Sequence, residues 1–212
     1  MLFNMEASKA FAVKLTDSVL LLDVVLKVPD WADKRLAPRG TAMAVAVLDG
    51  IGKTRVLTAG PIATEAETMR LRLPDGTWLP ISETLPFGDG ALVELVVAAE
   101  FLTQLTALPA DKRATTRADS IIFTPLGIST PTLHLARGSV AGELSGPAAN
   151  LLMCDIPLPN GTPLITAEGN LLGVNFRPHP RDVKRALAVT PESLRDWLRP
   201  EGPPYDPPPE TP

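Results

Sequence analysis

Short apolar runs with a two-residue rhythm dominate the chain. Met69-Arg70-Leu71-Arg72-Leu73 alternates apolar and charged residues, as a strand with one buried face does. Residues 19–28 (VLLLDVVLKV) are rich in Val and Leu and end at Pro29. Residues 41–48 (TAMAVAVL) run into Asp49-Gly50, a hairpin-type turn pair, and residues 53–59 resume as a strand. Pro74-Asp75-Gly76 turns the alternating segment into residues 77–79, and residues 91–98 (ALVELVVA) form the next strand. The second half repeats this style at residues 120–123, 132–140, 150–155, 163–166, 170–176 and 185–190. Turn signals recur every ~8–12 residues, the spacing of an all-β sandwich or barrel. Two helices are expected. One lies near residues 6–17, and the other opens at Thr190-Pro191, with threonine as N-cap and proline in the first turn.

Residues 100–120 are more polar and hold Pro109-Ala110-Asp111-Lys112-Arg113, which puts a boundary between two halves, 1–105 and 106–199. Residues 200–212 (PEGPPYDPPPETP) cannot build a packed core. They suit a solvated tail, or a polyproline II ligand anchored by Tyr205.

Composition narrows the function classes. The 212 residues are 45% hydrophobic, enough for a globular core. The net charge of −4 argues against a nucleic-acid partner. The one basic cluster, Arg177, Arg181, Lys184 and Arg185, reads as a solvated loop. Cys154 is the single cysteine, so no internal disulfide forms, and its apolar neighbours mark it as a buried structural thiol. No His, Cys and Asp cluster has metal-ligand spacing, and no Gly-rich loop precedes a lysine, so neither metal nor cofactor is expected. The N-terminus has no basic region before an apolar core, and the 19–28 run carries Asp23 and Lys27. At ten residues it falls short of the ~20 a spanning helix needs, so a soluble cytoplasmic protein without membrane contact is expected.

Seven segments in order, together with the run around Asn160, carry a resemblance; the first, Ala7 to Val28, is similar to the helix and first strand that precede the core. Arg39-Gly40-Thr41-Ala42-Met43-Ala44-Val45 is similar to a G-S-G-F-V-V strand, and Val56-Leu57-Thr58-Ala59-Gly60-Pro61-Ile62 to I-L-T-A-A-H-V. Asp89-Gly90-Ala91-Leu92-Val93-Glu94-Leu95 is similar to D-L-A-L-L-K-V. Phe123-Thr124-Pro125-Leu126-Gly127 and Gly138-Ser139-Val140-Ala141 follow, matching G-N-P-F-G and G-I-V-S. Asn160-Gly161-Thr162-Pro163-Leu164, with Gly173-Val174-Asn175 beyond it, matches the S-G-G-P-L part of the nucleophile run N-P-G-N-S-G-G-P-L-V and its later G-I-N, with Asn160 at the serine. Ala186-Leu187-Ala188-Val189-Thr190 and the helix after it close the series. Over residues 8–199 the chain resembles the trypsin-like (chymotrypsin-fold) serine proteases, nearest their HtrA-type branch, with no PDZ-like segment following. The resemblance implies two six-stranded antiparallel β-barrels, a short N-terminal helix and a C-terminal helix.

Serine-protease chemistry needs a hydroxyl nucleophile, a base and a carboxylate that orients the base. The resemblance maps these positions onto Asn160, Pro61 and Asp89. Proline has no titratable group and a carboxamide is a poor nucleophile, so only Asp89 is retained, with no histidine to orient. Thr162 starts from the wrong backbone position to replace the serine. The oxyanion amides would be those of Asn160 and Leu158, and Pro157 and Pro159 flank the latter rigidly.

Three readings follow. The first is an inactive pseudoprotease that binds another protein or peptide in the cleft between barrels, or serves as scaffold or regulatory module. Its cleft residues would be Asn160, Gly161 and Thr162, with Gly173-Val174-Asn175-Phe176 as an edge for strand addition. The second is an active hydrolase built from Ser129 or Ser139 near His134. The third is an adaptor that binds through its Pro-rich tail and Tyr205. A homo-oligomer is compatible with each.

Overall fold

The computed structural model describes residues 15–29, 37–87, 90–110, 120–129, 132–145 and 150–199. The first half contains β1 (Val19–Leu26), β2 (Arg39–Leu48), β3 (Thr54–Ala59), α1 (Gly60–Glu65), β4 (Ala66–Arg72), β5 (Trp78–Ile81), β6 (Thr84–Phe87), β7 (Leu92–Leu95) and α2 (Ala99–Leu102). The second half contains β8 (Ile121–Ser129), β9 (Thr132–Ser145), β10 (Asn150–Cys154), β11 (Pro163–Ile165), β12 (Leu171–His179), β13 (Asp182–Val189) and α3 (Pro191–Leu198). The expected helix near residues 6–17 lies almost wholly outside the described residues. Its end, Leu15, is buried in the core.

The second half is a closed barrel in the order β10-β13-β12-β11-β8-β9. The first half is a curled seven-stranded sheet, β5-β4-β1-β2-β3-β7-β6. Its two edge strands, β5 and β6, are consecutive in the chain and separated only by Ser82 and Glu83. The chain therefore passes from one edge of the sheet to the other within two residues. A single strand broken at Ser82-Glu83 accounts for seven strands where six are expected. The interruption separates two short segments that carry Pro80 and Pro86, residues that occur in sheets mainly at edges.

Strand alternation explains why several strands are apolar on both faces. On β2, Ala42 and Ala44 join Leu20, Leu22 and Val24 of β1 inside the first sheet. The intervening Met43, Val45 and Val47 face the other way, into a core shared with the second half. On β13, Ala186 and Ala188 point into the second barrel, while Leu187 and Val189 join the shared core. Small residues thus fill the two interiors where these strands curve, and larger ones fill the seam. The seam also takes Val174 and Phe176 of β12 and Leu194 and Leu198 of α3. At about 1.5–3 kcal/mol for each fully buried large apolar side chain, this seam is a major contributor to stability.

The connector after α2 stitches the halves together. Leu108 donates its amide to Ala46 O (2.9 Å) and accepts from Leu48 N (3.1 Å), and Pro109 O accepts from Leu171 N (2.8 Å). α3 starts as the sequence predicts, with Thr190 Oγ1 accepting from Ser193 N at 3.2 Å. α1 was not among the expected helices: directly after the strand that ends at Ala59, Pro61 in the first turn starts a short helix. No helix among the described residues is long and apolar enough to cross a membrane.

The β2–β3 hairpin is organised by Asp49. Its Oδ1 accepts from Ile51 N (3.0 Å) and Lys53 N (2.8 Å), and its Oδ2 accepts from Arg55 Nε (3.0 Å). Arg55 Nη1 reaches on to Glu94 Oε2 of β7 at 2.6 Å. Burial works against ionisation of Asp49, but the two amides and the guanidinium outweigh it and hold the carboxyl below its ordinary value of 3.8. A lowered folded-state value means the stabilisation is present above the unfolded value and lost as pH falls through the folded one. Asp49→Ala should therefore cost about 1–3 kcal/mol at neutral pH. Urea unfolding of both proteins across pH should show the gap closing below about pH 4.

Candidate functional site

Asn160, which the sequence resemblance maps onto a serine nucleophile, lies on the turn between β10 and β11, and the fold clamps this turn between the two halves. Asn160 O accepts from Met43 N of β2 at 3.1 Å. Gly161 N donates to Asn175 O (2.8 Å), and Asn175 N donates to Thr162 O (2.8 Å), so the turn pairs with β12 as a strand would. Thr162 Oγ1 donates back to Pro159 O at 2.6 Å. Asn175 Nδ2 donates to both Leu158 O (3.0 Å) and Pro159 O (2.9 Å), bracing the approach to the turn from below.

Gly161 is the point of closest approach. Its φ of +78° lies in the left-handed region, and an added Cβ would sit 1.8 Å from Met43 O and 2.5 Å from Thr58 Oγ1. Thr58 itself donates to Met43 O at 2.6 Å and is fully buried. The base position follows three residues later. Pro61 occupies the first turn of α1, directly after Gly60, whose amide bonds Ala91 O at 2.9 Å. Gly60 is held so close to the chain near Asp89 that a Cβ there would lie 1.9 Å from Gly90 O. Thr58 and Gly161 thus bring the segments that carry Pro61 and Asn160 together across the seam, and neither position offers a titratable group. Asp89 lies outside the described residues, as does Tyr205.

The other candidate residues divide. Gly173, Val174, Asn175 and Phe176 do not form an exposed edge. β12 lies between β11 and β13 inside the closed barrel, and all four residues are buried. The amide and carbonyl of Asn175 are both taken by the turn, so the expected strand-addition edge is not available there. A run reading G-V-N-F has the same pattern at an edge or inside a barrel, and closure by β13 decides between them.

Ser139 cannot pair with His134. Both lie on β9, five residues apart, which separates their backbones by about 16 Å. Ser139 instead donates its hydroxyl to Asp155 Oδ2 (2.8 Å) and its amide to Asp155 Oδ1 (2.6 Å). Ser129 is placed differently. The register pairs Ser129 with Thr132 and Gly127 with His134, so Ser129 and His134 are diagonal neighbours, roughly 7–8 Å apart along the backbone. Cys154 is buried, and desolvation first and Asp155 second push its thiol up to about 12, so it is inert at neutral pH. Among the described residues no cluster of His, Cys, Asp and Glu could hold a metal ion.

No family model matches the chain, and no curated protein matches it by sequence. Solved structures do match by fold. A variant of the HtrA-type protease AlgW with a tripeptide superposes with a TM-score of 0.60 at 16% identity, covering 89% of this chain and 60% of its own. The same variant with a decapeptide gives 0.60 at 17%, covering 92% and 64%. A serine endoprotease from Yersinia pestis gives 0.61 at 15%, covering 90% and 63%. The fold is therefore that of the trypsin-like proteases. The chain spans about three fifths of the length of these neighbours.

Two results follow from this geometry. Gly161→Ala should lose roughly 2–5 kcal/mol, from left-handed strain plus overpacking against Met43 and Thr58, read as a lowered urea midpoint. Cys154 should resist a disulfide-exchange reagent in the folded protein and react fully once urea unfolds it; rapid reaction in the native state would contradict its burial.

Proposed function

We propose that this protein is a trypsin-like pseudoprotease that holds a protein or peptide segment without cutting it, acting as a binding, scaffold or regulatory module. The observation that carries the reading is chemical. Pro61 stands at the base position and Asn160 at the nucleophile position, on segments that the fold still draws together across the seam. Nucleophilic catalysis needs a hydroxyl or thiol with a base in hydrogen-bond reach. Neither residue supplies one. The clamp around Gly161, by contrast, is intact. A scaffold that keeps its demanding backbone contacts while its reactive groups are replaced fits a structural or binding role.

Two of the neighbouring structures hold a tripeptide or a decapeptide, and a peptide is the class of ligand proposed here. With β12 enclosed in the barrel, the surface for such a ligand lies around the Asn160 turn and α1 rather than along residues 173–176. The rival reading is a hydrolase that uses Ser129 with His134, and the diagonal register of β8 and β9 is the one observation in its favour. Binding through the Pro-rich tail is the third reading, and removal of residues 200–212 separates it from cleft binding.

A fluorophosphonate probe distinguishes these chemistries, because it labels only serines activated by a base. The proposal expects no labelling of the folded protein, and intact recovery of peptides selected from a random library. Labelling at Ser129 that disappears in a His134→Ala protein would establish the hydrolase reading instead.

A further inference from the structure

The turn that lacks a protease nucleophile holds a different reactive pair. Asn160-Gly161 is the only asparagine–glycine pair in the chain. In such a pair the glycine amide nitrogen, once deprotonated, can attack the asparagine Cγ, because the glycine has no side chain to obstruct the approach. The new N–C bond closes a succinimide ring, and the side-chain nitrogen leaves as ammonia. Water then opens the ring at either carbonyl, which leaves aspartate or isoaspartate at position 160. No oxidant, reductant or second protein is required.

The folded chain restrains this reaction at the amide rather than at the side chain. Asn160 is half-buried, and among the described residues its carboxamide has no hydrogen-bond partner. The nitrogen that would attack it is held: Gly161 N donates to Asn175 O at 2.8 Å. An imide nitrogen carries no hydrogen, so ring closure would remove that donor and leave the carbonyl of a fully buried residue unpaired. The products differ in what they do to the clamp. Opening to aspartate leaves the main chain unchanged. Opening to isoaspartate lengthens the main chain by a methylene and turns the carbonyl that accepts from Met43 N into a branching carboxylate. Gly161 sits so close to β2 that a Cβ there would lie 1.8 Å from Met43 O and 2.5 Å from Thr58 Oγ1. A lengthened chain cannot hold that approach and keep the hydrogen bonds on both sides of it.

We propose that Asn160-Gly161 is a self-modification site gated by the clamp. The folded chain keeps the pair intact. Opening of the turn frees the Gly161 amide to close the ring, and the isoaspartyl product cannot re-form the contacts with Met43, Thr58 and Asn175. An opening that ends in isoaspartate is therefore irreversible, whereas one that ends in aspartate is not. The chemistry needs only water and this chain, and it is independent of whether the protein binds a peptide or hydrolyses one.

The full chain is held at mildly alkaline pH, either folded in buffer or unfolded in guanidinium chloride, and peptide mapping reads asparagine, aspartate and isoaspartate at position 160. A turn that opens only with the whole fold is rarely open, so the folded chain should convert at least ~100-fold more slowly than the unfolded one. A smaller difference would overturn the gate. The partly converted chain is then refolded by dilution, and the folded fraction is isolated by gel filtration. It should contain asparagine and aspartate at position 160, with isoaspartate depleted at least ~10-fold relative to the starting mixture. An Asn160→Ala chain, which cannot close the ring, should refold to the same yield however long it is held unfolded. Isoaspartate that persists in the folded fraction at its starting proportion would overturn the proposal, and so would an Asn160→Ala yield that falls as fast as that of the wild type.

Discussion

The structure depends on one close approach of backbone to backbone. At Gly161 the chain of the second half passes so near Met43 and Thr58 of the first that no side chain fits between them. Three hydrogen bonds fix the approach: Met43 N to Asn160 O, Gly161 N to Asn175 O, and Thr58 Oγ1 to Met43 O. Around these polar contacts lies the seam core of Met43, Val45, Leu57, Val174, Leu187 and Val189. The bonds set the register of one half on the other, and the apolar residues supply most of the free energy that keeps them together. Loss of the backbone match would leave buried amides and carbonyls without partners, which is costly in such an environment.

The same contact connects fold to function. A protease of this architecture requires the turn to present a nucleophile to a base on the facing half, and the architecture brings the two segments together for that reason. Here the approach is kept, while proline and asparagine stand at the two positions. The backbone groups of this junction between two β units are paired within the protein, while Asn175 Oδ1 is buried without a partner. Neither Pro61 nor Asn160 carries a group that activates a nucleophile, and the proposed binding role rests on that chemistry.

Most strands were legible because their apolar positions alternate or run between turn residues. Residues 69–73 and the turn at Asp49-Gly50 are clear cases. The runs TAMAVAVL and ALAV were legible as strands, but not as strands with two different jobs. Only the folded chain shows that their alanines fill the sheet interiors and their larger residues fill the seam. The interruption at Ser82-Glu83 was hidden, because a bend within a barrel strand and a turn between strands share the same local residues. α1 was missed because six residues are too few for a helical period to appear. At the site, the sequence singled out Asn160 and Pro61, whose segments meet at the seam, but read residues 173–176 as an edge, which they are not. Strand closure by β13 is a long-range property that no local pattern carries. The supporting parts played by Met43, Thr58 and the Asn175 side chain were hidden for the same reason, since each acts on a residue distant in the chain.

Amide hydrogen exchange at Met43, Gly161 and Asn175 tests the central claim, that the turn at the nucleophile position is a structural clamp, most directly. The account predicts that all three amides exchange together and only through global unfolding, at the rate of the slowest core amides of β2 and β12. Fast exchange at Gly161 and Asn175, uncoupled from Met43, would show the turn opening independently of the fold and would contradict the clamp.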